Sequence, residues 1–110
     1  MQQLRAYNSR DFIRNLSNLS NIQANKTEQL NMVNNQIDTV LRLRQQDRQN
    51  TQQNLKDSID LLQNKISQSQ KDFLKAKLDA KIAFIDKQEQ QEADRVKAVN
   101  AAQVQRNYTL

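Results

Sequence analysis

No glycine and no proline occur anywhere in the chain, and that absence limits its fold more than any residue it contains. Glycine supplies the positive-φ positions of tight turns and proline pre-sets turn dihedrals, so a compact fold with many turns uses both. Apolar residues make up 36% of the 110 residues, too few to fill a globular core beneath a polar surface. What remains is an elongated, all-α body with narrow apolar seams. Low hydropathy and polar tracts also mark disordered chains, but here the apolar residues are strongly periodic.

In the first half, Phe12, Leu16, Leu19, Lys26, Leu30, Val33, Ile37 and Val40 fall on alternating steps of four and three, with Gln23 on the missing rung. Leu41 and Leu43 continue the apolar side. This is a heptad seam with polar interruptions. Asn8 or Ser9 is placed to cap the helix, with Asp11 suited to the positive end of its dipole. Asn25 to Glu28 has the form of a capping box and marks a second break near residue 25. The second half carries the clearer ladder: Leu55, Ile59, Leu62, Ile66, Ser69, Phe73, Ala76, Ala80 and Ala83. Leu61, Leu74, Leu78, Ile82 and Ile85 widen it to a face suited to a bundle of three or more helices.

Between the seams, residues 42–54 read R-L-R-Q-Q-D-R-Q-N-T-Q-Q-N, with no apolar side chain from Arg44 to Asn54. Asn50 tolerates a left-handed position, Asn50 or Thr51 can cap a following helix, and the two seams are one residue out of phase across the gap. Arg and Gln are good helix formers, so the alternative is one near-continuous rod of about 165 Å. The balance favours an antiparallel helical hairpin: helices at about 9–46 and 52–106, with a polar joint at 47–51. Folding there sets Ile37 near Ile59 or Leu62, and Leu16 and Leu19 beside Ala80 and Ala83.

The chemical inventory is thin. With no histidine and no cysteine, the usual general base, thiol nucleophile and imidazole metal ligand are missing. Without glycine, the common phosphate-cradling loops cannot form. The sequence therefore reads as non-enzymatic, with no cofactor and no metal. Asp86, Glu89, Glu92 and Asp94 sit among Lys87, Arg95 and Lys97 and read as a solvated, salt-bridged face. No apolar run approaches the roughly 20 residues that span a bilayer. The net charge of +5 leaves room for non-specific contact with phosphates or an acidic surface through Arg10, Arg14, Arg42, Arg44 and Arg48. No recognised nucleic-acid motif accompanies them. A weak membrane-surface helix over the first 22 residues, with Leu4, Tyr7 and Phe12 on its apolar side, is a third reading.

A two-helix hairpin leaves the wide face of residues 61–85 partly bare, and isolated helices depend on packing for stability. Protein partners are therefore required, as copies of the same chain, as a larger multi-subunit assembly, or both. The seam residues offered to them are Leu55, Ile59, Leu62, Ile66, Phe73, Leu78, Ile82 and Ile85, and secondly Phe12, Leu16, Leu19, Leu30, Val33, Ile37 and Leu41. In texture the chain resembles the small helical virion components of tailed phages, internal, ejected or tail-associated, which are rich in Gln and Ala. Coiled-coil subunits of cytoskeletal, axonemal or secretion machinery share that texture. Either resemblance implies a structural or scaffolding role.

Overall fold

A computed structural model describes residues 9–20 and 27–109, with side chains for 9–16 and 27–108. Helix α1 spans Ser9–Ser20 and α2 spans Thr27–Asp60; one 3-10 turn, Gln63–Lys65, leads into α3, Gln68–Thr109. The long helices α2 and α3 pack antiparallel in a body of 68 × 17 × 17 Å. The capping residues expected at Asn8 and Asn25 lie outside the described residues, as does the side chain of Leu19.

The hairpin is present, but its turn is elsewhere. Residues 47–51 are helical, and the chain reverses at 61–67, which corrects the expected joint and both expected helix boundaries. The register moves with it. Thr27 pairs with Asn107, Asn34 with Asn100, Arg44 with Glu89, Lys56 with Asp79 and Asp60 with Lys75. Ile37 therefore does not meet Ile59. It joins Phe12, Leu16, Leu41, Ala93 and Val96 in the main core, and Leu16 lies in that cluster rather than beside Ala80 and Ala83.

Helix α1 folds back over this cluster and lies chiefly against α3. Phe12 and Leu16, four residues apart, share its inner face, and both are buried. Ala93 and Val96 are small enough to let the third helix approach. Burying the two large side chains contributes roughly 3 to 6 kcal/mol. A helix of 12 residues is marginal by itself, so this contact is what holds it. The molecule thus has a closed, three-helix end and an open, two-helix end.

The reversal works without glycine because other residues take over its tasks. The Leu61 and Leu62 amides donate to the Asp57 and Ile59 carbonyls, at 3.0 and 3.1 Å. Gln63 then adopts φ 50°, a left-handed conformation that costs an L-residue about 1 to 2 kcal/mol. After extended Ile66, Ser67 caps α3. Its Oγ accepts from the Gln70 amide at 3.1 Å, and Gln70 Oε1 accepts from the Ser67 amide at 2.9 Å. This reciprocal capping box satisfies two orphan amides at once. Ser67→Ala should therefore lower stability by about 1 kcal/mol, and Gln63→Gly should raise it by roughly 0.5 to 1 kcal/mol. Urea denaturation followed by circular dichroism reads both; a neutral Ser67→Ala would place the reversal elsewhere.

Candidate functional site

The polar gap is filled by the other half of the chain. Arg44 and Arg48, four apart on α2, share one helix face, and Asp86 and Glu89, three apart on α3, share another. The antiparallel register brings the two faces together. Arg48 donates through Nε to Asp86 Oδ1 and through Nη2 to Glu89 Oε1, both at 2.6 Å. Arg44 donates through Nη2 to Glu89 Oε2 at 2.8 Å, and its guanidinium lies 4.6 Å from the centre of the Phe12 ring. The side chains of Arg48 and Glu89 are 0% exposed. Two cations and two carboxylates thus form a neutral cluster in the middle of the molecule, roofed on one side by α1.

This overturns two expectations. Glu89 is not part of a solvated acidic face; it is the most enclosed carboxylate in the cluster. Arg44 and Arg48 are not outward phosphate contacts, because their donors are directed at Glu89 and Asp86. Arg10, Arg14 and Arg42 remain exposed. The partners of Glu89 lie 45 and 41 residues away in sequence. A reading of local neighbours saw only Lys87, Arg95 and Lys97.

More polar pairs continue along one edge of the hairpin. Gln45 meets Gln90, Gln52 and Lys56 both reach Asp79, Lys75 reaches Asp60, and Lys97 reaches Asp38. The Lys56 ammonium and then the Gln52 amide hold the Asp79 carboxyl below the usual carboxylate range. The hydrogen bond to Asp60 raises Lys75 in turn, and Arg95 lowers its neighbour Glu92. These exposed pairs contribute little each, but they repeat the register set by the buried cluster. Among the described residues, no three acidic side chains converge as they would around a metal ion.

The opposite edge is apolar and uncovered at the open end. Leu55, Ser58 and Ile59 of α2, Leu62 of the reversal, and Leu74, Lys77, Leu78 and Lys81 of α3 line a groove of about 580 Å³. Val40, Arg44, Thr51, Leu55 and Ser58 lie on one stripe of α2 by their spacing. Phe12 and Leu16 cover that stripe near Val40 and Arg44; the groove is the same stripe beyond the reach of α1. At this same end Leu61 is 76% exposed, Phe73 66% and Phe84 61%.

The seam residues divide accordingly. Phe12, Leu16, Leu30, Ile37, Leu41, Leu78 and Ile82 are buried within the chain, and Val33, Leu55, Ile59, Leu62, Ile66 and Ile85 are half-buried. Phe73, expected on the same seam as Leu62, projects outward. Leu74, left outside the expected partner seam, lines the groove. No helix of the described residues is long and apolar enough to cross a membrane. Compared with protein-family models, curated proteins and solved structures, the chain matches none.

Removing one member of a buried ion pair leaves an uncompensated charge, which costs about 3 to 5 kcal/mol. Glu89→Met should therefore destabilise the hairpin by that amount. The double variant Arg48→Met with Glu89→Met should lose much less, since Arg44 and Asp86 are partly exposed and can turn to water. Thermal unfolding of the three proteins checks this; additive losses would show that the pair is not coupled.

Proposed function

We propose that the protein is a non-enzymatic structural subunit, a helical hairpin whose open end receives helices from other chains in a multi-subunit assembly. The observation that carries this reading is the uncovered apolar groove at the open end, with Leu74 exposed in its lining and Leu61, Phe73 and Phe84 exposed at the same end. Contiguous apolar surface rimmed by polar residues marks an interaction site more often than it marks chance. The closed end illustrates the mode of contact, since α1 is itself a short amphipathic helix laid along two others. Homo-oligomers, coiled-coil machinery and the internal, ejected or tail-associated parts of a phage-like virion all use such contacts. The polar, Gln-rich surface fits the virion setting well. Inward pairing of Arg44 and Arg48 makes nucleic-acid contact the weaker alternative.

In native extracts the wild-type chain should fractionate with a large assembly. Leu74→Asp combined with Phe73→Asp should shift it to the size of the free chain, with helicity in circular dichroism unchanged. Wild type and variant both running as the free chain would contradict the subunit reading.

A further inference from the structure

The groove at the open end differs from the closed end in its charge. Lys77 and Lys81 are among its lining residues, and that lining contains no carboxylate. Neither lysine forms an ion pair among the described residues, whereas Lys56 and Lys75 at the same end are each paired with an aspartate on the opposite edge. Two cations beside an apolar channel call for an occupant that is apolar on one side and acidic on its flank.

A second copy of the chain does not meet that requirement. Laid groove to groove, two copies would gather four lysines and bring no carboxylate from either lining. Inserted as α1, the second copy would offer Phe12 and Leu16 but carry Arg10 and Arg14 beside them, against the single carboxylate Asp11. Both arrangements add like charge at the rim.

We propose, building on the structural-subunit reading, that the groove binds an acidic amphipathic helix belonging to a different protein. The size of the groove sets the form of the helix. From Leu74 to Lys81 on α3 the channel runs about 10 Å, two helical turns, so the occupant presents large apolar residues at spacings of four and three. The closed end shows the same arrangement: Phe12 and Leu16, four apart, lie beside Val40, and Phe12 meets Arg44, the earlier part of this stripe. Carboxylates on the flank of the bound helix pair with Lys77 and Lys81, fixing which way round it lies.

Two synthetic helical peptides test this on the full-length chain. They share one leucine stripe at these spacings, and their flanks carry either glutamates or lysines. By fluorescence anisotropy, the glutamate peptide should bind about tenfold more tightly, the effect of two partly desolvated ion pairs. The preference should weaken with salt and reverse in Lys77→Glu with Lys81→Glu, whose altered residues are exposed and leave the fold intact by circular dichroism. Leu74→Asp should weaken both peptides. Equal binding of the two peptides, or no reversal, would overturn the proposal. Concentration-dependent sedimentation of the chain alone, lost in Leu74→Asp, would assign the groove to a second copy and overturn it too, leaving the subunit reading intact. A chain that fractionates with a large assembly yet ignores both peptides sinks the acidic helix alone; one that also runs free in extracts removes the subunit reading.

Discussion

A charge held inside a protein must be matched there, and the Arg48–Glu89 pair is fully enclosed. Burying both ions is expensive, and their attraction offsets the cost only with good geometry. The pair is therefore a poor source of net stability and a strict source of register. Glu89 is shared by Arg44 and Arg48, and Arg48 also meets Asp86, so sliding α3 by one turn along α2 would break this set of contacts and strand one of the four charges. The aligned core of Ile37, Leu41, Ala93 and Val96 follows from that single setting, as does the polar edge from Asp38–Lys97 to Asp60–Lys75.

The same setting explains why the molecule has unlike ends. Arg44 lies on the rim of the cluster and meets the Phe12 ring, so α1 is drawn to the region where the interhelical seam is charged. Its 12 residues cover that region and stop. The stripe on α2 continues past it to Leu55 and Ser58, where only two of the described helices are present and the apolar side chains of α3 have no third helix to pack against. The enclosed core and the uncovered apolar groove thus lie at opposite ends of the hairpin.

How much of this was legible depended on whether the signal was local. Helical periodicity is local, and the all-α hairpin was readable from it. The turn carries a local mark as well. Ser67 and Gln70 stand at capping-box spacing, and that motif ends the preceding connection, whereas the gap at 44–54 has no such motif. A gap in an apolar seam signals a turn only if nothing polar complements it, and here Asp86 and Glu89 do. Arg44 and Arg48 at spacing four, set against Asp86 and Glu89 at spacing three, could have located the fold-back. Their pairing spans about 40 residues, a distance at which sequence shows no coupling by itself. Gln63 in a left-handed conformation had no sequence mark at all, since glycine or asparagine is the usual occupant. Phe73 fell on a perfect heptad ladder that the turn at 61–67 interrupts, so its phase after Ser67 bears no relation to its phase before Asp60.

The central claim is that residues 44–54 are helical and lie against residues 79–89. The chain has no cysteine, so spin labels can be placed at Gln46 and Gln91, both exposed and level with each other across the hairpin. Pulsed electron–electron spin resonance should then give a distance below roughly 30 Å, an interhelical separation of about 10 Å plus the label arms. A turn at 47–51 or an unbroken rod would each put the labels beyond about 55 Å, and a distance of that size would contradict the account.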